Sequence, residues 1–242
     1  MAHCGACDNE CAGACLDGNC DTKVPTDFLV LWLRADAGVV TEGELVIGWQ
    51  SEVGGGASSG TPSAQPKIGK LMSRPALVFD GVDDYMDLPP FEDCDGMTVF
   101  IAFSPEVGAP ATLLRFGDGQ PPAHVELYHQ SGNDLVYEAF LDRAPVFLLG
   151  TEFYQPGSHL LTVVNDGAGT VMAMLDGWRT DAVVMTGAPP MVAATFSYNM
   201  LGSSAAQAPW FKGAVAEIMV YRAPLESTTA VEDYLRGKYV TF

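Results

Sequence analysis

Basic residues are scarce in this 242-residue chain: 12 Lys and Arg stand against 30 Asp and Glu, a net charge of −18. That balance repels a polyanion and excludes nucleic acid as a partner. Long apolar runs are also missing, and no stretch approaches the roughly 18 residues of a membrane span. The opening MAHCGACDNE has neither a basic nor an apolar region, so it is not a secretory signal. Two origins fit it: a chain made without a signal, or a mature fragment given a new Met. Signatures of nucleophilic and phosphate chemistry are lacking too. There is no Ser–His–Asp pattern and no G-x-S-x-G elbow, and the glycines at 54–56 and in Gly117-Asp118-Gly119 do not open a strand–helix unit. What is present is core material. Hydrophobic residues make up 48 % and charged residues 17 %, which excludes wholesale disorder.

Cysteine is concentrated at one end. Cys4, Cys7, Cys11, Cys15 and Cys20 lie within the first 20 residues, spaced C-x2-C-x3-C-x3-C-x4-C, and only Cys94 lies downstream. The tail, residues 1–26, has almost no apolar residue with which to build a core, so a cross-link must order it. Two readings stay open. Six cysteines can form three disulfides, one of them tying the tail to Cys94. Alternatively, four thiolates hold zinc or an iron–sulfur cluster, with His3 as a spare ligand. An oxidising compartment favours the first and a cytosolic one the second.

From residue 27 the pattern is β. Strand-length segments fall at 28–33, 45–49, 76–79, 85–88, 97–103, 112–116, 125–129, 135–141, 146–149, 159–164, 171–175, 182–185, 198–201 and 214–221. Turn signals such as Asp80-Gly81, Asp166-Gly167 and Asp176-Gly177 separate many of them. Many short strands at near-regular spacing predict a sandwich or barrel. One helix is expected near the C-terminus, opened by Pro224 and Glu226 and ended by Gly237.

Several segments resemble the laminin-G-like, concanavalin A-like superfamily. Phe28-Leu-Val-Leu-Trp-Leu-Arg-Ala-Asp-Ala-Gly looks like its opening strand, and Trp49 precedes a Gly-rich loop. Arg74-Pro-Ala-Leu-Val-Phe-Asp-Gly-Val-Asp-Asp-Tyr-Met-Asp-Leu88 resembles its central signature. Met97-Thr-Val-Phe-Ile-Ala-Phe103, His159-Leu-Leu-Thr-Val-Val, Met174-Leu-Asp-Gly177, Leu201-Gly-Ser-Ser204 and Phe211-Lys-Gly-Ala-Val-Ala-Glu-Ile-Met-Val-Tyr221 follow in order. The resemblance spans roughly residues 27 to 240 and leaves out the tail. It implies an all-β, concanavalin A-like jelly-roll sandwich of two antiparallel sheets over 27–242, with one short C-terminal helix. It also implies structural roles for Glu217 and His159.

Candidate chemistry is sparse. Hydrolases on this fold carry paired carboxylates at even spacing on one strand, so that both acids share a face. Here Glu126 and Glu138 are isolated and are expected to face solvent. His124 and His129, five apart, fall on opposite faces of a strand. Asp83 and Asp84 are the first candidates for calcium, with further acids around Cys94 and at Asp118. Trp178, Trp210 and Tyr154, beside turns and loops, are candidate platforms for sugar rings.

These features favour a non-enzymatic surface module that binds a glycan or protein partner or serves assembly. It could be a virion decoration or fibre protein on a capsid lattice, or an extracellular adhesin or lectin at a cell surface. The opposing classes are a glycoside hydrolase or lyase with an unrecognised site, and a structural protein that packs against its own copies as a homo-oligomer.

Overall fold

The computed structural model describes residues 24–59, 61–106, 108–118, 124–132, 134–140, 146–150, 154–177, 183–188, 190–191, 194–204 and 208–239, with four strand fragments nearer the N-terminus. Those fragments form two small antiparallel pairs. One joins β1 (His3–Cys4) to β2 (Asn9–Glu10), and the other joins β3 (Ala14–Leu16) to β4 (Asn19–Asp21). Cys7 and Cys11 lie outside the described residues, as do the side chains of Cys4, Cys15 and Cys20.

The body is one large antiparallel sheet curled into a sandwich, as the strand spacing predicts. Its back layer centres on the long strand β23 (Lys212–Tyr221). On one side β23 pairs with β13 (Met97–Pro105), which leads outward to β18 (His159–Asn165), β19 (Thr170–Leu175) and β20 (Val183–Thr186). Along its other side, β23 pairs first with β10 (Arg74–Asp80) and then with β5 (Leu29–Arg34). The hairpin partner of β10 is β9 (Lys67–Leu71).

The front layer runs from β17 (Val146–Gly150) through β16 (Leu135–Phe140), β15 (His124–His129) and β14 (Ala111–Gly117) to β22 (Tyr198–Leu201). It continues through β11 (Met86–Leu88) and β8 (Gly56–Ser58) to β7 (Leu45–Gln50) and β6 (Val39–Glu42). A contact between Leu45 and Lys67 joins the layers at that edge. A further short pair, β12 (Phe91–Cys94) with β21 (Ala194–Phe196), adds Phe91 and Phe196 to the core.

Period-two alternation decides what each face buries. On β13, Val99, Ile101 and Phe103 point between the layers, whereas Phe100 and Ala102 point outward. The strand is nonetheless buried on both sides, because the helix α1 (Thr229–Tyr239) covers the outer face with Val231, Leu235 and Tyr239. Glu217 lies under that helix at 0 % exposure. Its carboxylate accepts hydrogen bonds from Trp32 Nε1 at 2.7 Å, Lys238 Nζ at 2.7 Å and the Tyr239 hydroxyl at 2.8 Å. The structural role expected of Glu217 is therefore to lock helix to sheet.

Two helix expectations need correction. The helix starts at Thr229 rather than Pro224. Thr98 Oγ1 accepts the Leu225 N–H and donates to the Ala223 carbonyl, which fastens that stretch along β13 instead. The helix also runs through Gly237. Lys238 and Tyr239, just beyond, are anchored on Glu217, and tertiary packing outweighs the modest helical cost of one glycine.

Candidate functional site

The outer face of the front layer carries a polar recess. Val125 and Leu127 of β15 point into the core, so Glu126 and Tyr128 point away from it. On β14, Leu114 and Phe116 face the core and Arg115 faces outward, while a register shift after Thr112 brings that hydroxyl to the same surface. The pairing register sets Arg115 opposite Glu126 and Glu126 opposite Glu138. Guanidinium, carboxyl and carboxyl therefore stand in a row across three strands.

The resulting recess, about 370 Å³, is lined by Thr112, Arg115, Glu126, Tyr128, Glu138 and Ser204. Glu126 is held from several sides. Thr112 Oγ1 donates to its Oε1 at 2.8 Å, Ser204 Oγ donates to its Oε2 at 3.2 Å, and Arg115 Nη1 lies 3.9 Å from that same oxygen. Arg115 Nη1 also donates to Ser204 Oγ at 2.8 Å. Burial pushes the Glu126 carboxyl above its ordinary range, and the nearby Glu138 adds to the shift, while Thr112, Arg115 and Ser204 oppose it. Burial also raises the Tyr128 phenol, followed by its hydrogen bond to Glu138.

A second recess, about 660 Å³, adjoins the first, and Ala208 and Pro209 form a wall of both. Trp210 lines it, half-buried, with its ring stacked on Tyr85 at 6.1 Å between centroids and 29° between planes. The segment is pinned where the Thr112 N–H donates to the Pro209 carbonyl and the Phe211 N–H to that of Gly202. At its edge Lys212 and Glu106 form an exposed ion pair at 2.6 Å. The surface thus offers hydroxyl and charged groups next to a fixed aromatic face, all on rigid strands or tied segments.

The sequence candidates are dispersed. Trp210 sits on this surface, and Trp178 lies outside the described residues. Tyr154 is no exposed platform. It is fully buried, its ring stacked on His129 with centroids 4.2 Å apart and planes at 2°. An aromatic beside a loop reads as exposed in sequence, but this one fills the end of the core. Glu126 does not face solvent as expected, because the segment after β22 returns over it and leaves it 9 % exposed. His129 points inward; the His124 side chain lies outside the described residues.

Asp83 and Asp84 join Asp80, with one carboxylate oxygen from each within 4.8 Å of the others. Two of these groups also organise their turn: Asp80 Oδ1 accepts the Val82 N–H and Asp84 Oδ2 accepts the Asp80 N–H. Burial, with Asp80 and Asp83 close by, pushes the Asp84 carboxyl up to about 6. The calcium expectation rests on that proximity alone. Cys94 is a free, buried thiol, pushed by burial up to about 12. Sequence reasoning missed Arg115, Thr112, Ser204 and Asp80; only strand register and the returning segment bring the first three together.

Several solved structures share this fold. Domain 4 of AbnA, a GH43 extracellular arabinanase from Geobacillus stearothermophilus, solved in complex with arabinotriose, superposes with a TM-score of 0.63 and 19 % identity over 85 % of this chain and 97 % of that one. Trypanosoma rangeli sialidase gives 0.60 at 16 % identity over 89 % of this chain, which spans 34 % of the sialidase. The binding domain of Paraclostridial Mosquitocidal Protein 1 gives 0.60 at 10 % identity, covering 86 % of this chain and 52 % of that one. At these identities the likeness establishes a shared fold. No family model matches the sequence, and no curated protein sequence does.

Proposed function

We propose that this chain is a non-enzymatic, laminin-G-like module that binds glycans at the double recess divided by Pro209. One observation carries this reading: a row of guanidinium and carboxyl groups with flanking hydroxyls, fixed on three strands, adjoins the Trp210 ring. A sugar presents hydroxyl donors and acceptors at its rim and C–H groups on its faces. The first recess supplies partners for the rim and Trp210 a surface for a face. The AbnA domain, similar in fold, was solved with an arabinose trisaccharide, which agrees with this reading.

Glu126 supports binding over turnover. Both of its oxygens already accept hydrogen bonds from Thr112 and Ser204, which suits a positioned acceptor better than a group that must pass a proton to a leaving oxygen. One observation favours a hydrolase instead. Directly opposed strand residues place their Cβ atoms about 4.5–5.5 Å apart, close to the carboxyl separation of about 5–5.5 Å in retaining glycosidases.

Calorimetry against a panel of neutral, amino and acidic oligosaccharides tests the proposal, run beside a reducing-sugar assay. At least one class should bind without being cleaved, and Arg115→Ala and Trp210→Ala should each weaken it about tenfold. Binding to none would refute the module. Turnover lost in Glu126→Gln or Glu138→Gln would replace it with the hydrolase.

A further inference from the structure

The N-terminal tail sets two cysteines against each other. Strands β3 and β4 pair antiparallel, with Ala14 opposite Asp21, Cys15 opposite Cys20 and Leu16 opposite Asn19. Directly opposed residues share one face of an antiparallel pair. Only two residues, Asp17-Gly18, connect the strands, and Asp-Gly is the sequence that favours the tight hairpin turns. Across a two-residue connection the flanking residues, Leu16 and Asn19, form the hydrogen-bonded pair, because the turn bond runs from a carbonyl to the N–H three residues on. Pair types alternate along an antiparallel ladder. Cys15 and Cys20 therefore hold a non-hydrogen-bonded position, where Cα atoms stand about 4.5 Å apart. That separation lies within the roughly 4.4–6.8 Å that a disulfide bridges.

We infer that Cys15 and Cys20 form a cross-strand disulfide that closes this hairpin. A metal needs two further donors converging on the same point, whereas the register alone meets the requirement of a disulfide. A two-stranded hairpin is marginal by itself in water, and the tail has few apolar residues to support one. The bond supplies order by removing freedom from the open chain. It forms by exchange with a small-molecule disulfide such as oxidised glutathione. One cysteine thiolate attacks a glutathione sulfur and expels the other glutathione as a thiolate. The second cysteine thiolate then attacks the protein sulfur of the mixed disulfide and expels the remaining glutathione. Two protein thiols are oxidised to one disulfide, one glutathione disulfide is reduced to two thiols, and these take up the two protons.

The test is disulfide mapping of the full chain. The protein is equilibrated in a glutathione redox buffer, its free thiols are alkylated, and it is cleaved before aspartates without reduction. Peptide 17–20 contains Cys20 as its one cysteine, and peptide 8–16 contains Cys11 and Cys15. The two should appear as one joined species, lighter by two hydrogens than their reduced sum, which a reductant separates. Fragmentation of the joined species between Cys11 and Cys15 should place the bond on Cys15, and this readout needs no variant. Cys11→Ser should keep the joined species and Cys15→Ser should lose it. A bond placed on Cys11, Cys20 joined to any other peptide, or Cys20 recovered alkylated or capped by glutathione overturns the inference. Zinc or iron held stoichiometrically by the purified protein and lost in Cys20→Ser would assign the pair to a metal and overturn it as well.

Discussion

Replacing Glu217 by glutamine tests how the C-terminal helix is held. Glu217 is completely buried and accepts three hydrogen bonds, from Trp32, Lys238 and Tyr239. Glutamine keeps the shape and one carbonyl oxygen. Its amide NH2 then faces donors that the carboxylate accepted, and Lys238 loses one of its two carboxylates, keeping Asp36 at 3.2 Å. Removing one partner of a buried ion pair costs about 3–5 kcal/mol. Two charge-assisted hydrogen bonds at about 1.5–3 kcal/mol each give a similar figure. Because Asp36 remains, the lower end is expected, about 3 kcal/mol, read as the loss of unfolding free energy in urea. The double variant Glu217→Gln/Lys238→Met should lose less than the sum of the singles, since it leaves no buried ammonium short of partners. A loss below about 1 kcal/mol for Glu217→Gln, or strict additivity in the double variant, would refute this view of the clamp.

Other perturbations probe the sheet and its acidic turn. Gly213→Ala places a Cβ 2.3 Å from the Ser104 carbonyl oxygen at a φ of +145°, and should destabilise by about 2–4 kcal/mol in the same denaturation experiment. Burial pushes the native Asp84 carboxyl up to about 6, above the ordinary value for an unfolded chain, so the folded state is expected to hold a proton that the unfolded chain releases. Stability should fall as pH rises from about 4 to about 6 and then level off. Asp84→Asn retains an acceptor for the Asp80 N–H; it should flatten this profile and gain about 1 kcal/mol at neutral pH, a figure discounted for partial solvent screening. Repeating the melts in millimolar calcium extends the test: a rise in the native midpoint that Asp84→Asn loses would assign a cation to the triad.

Much of the fold was legible because its signals are local. The Phe79-Asp80-Gly81 stretch, the apolar strand cores and the Asp-Gly turns each carry their structure within a few residues. The structural role of Glu217 was legible through the family resemblance alone, because strand alternation by itself also allowed that carboxylate to face solvent. The site was largely hidden. Glu126 alternates outward, which in sequence means solvent, and only the returning segment with Ser204 and Pro209 buries it. Its opposition to Glu138 depends on a hairpin register that no single residue announces. Tyr154 misled for the opposite reason, since an amphipathic ring beside a loop fits a rim or a core end equally well. The helix boundaries shifted because Thr98, more than a hundred positions upstream, secures Ala223 and Leu225.

The central claim is that sugars bind at the recesses divided by Pro209. Amide and indole chemical-shift mapping during titration with each member of the neutral, amino and acidic oligosaccharide panel tests it most directly. The account predicts saturable shifts at Thr112, Arg115, Glu126, Tyr128 and the Trp210 indole, with the β-sheet core unmoved. Saturable shifts confined to another surface, or none at any sugar concentration, would contradict it.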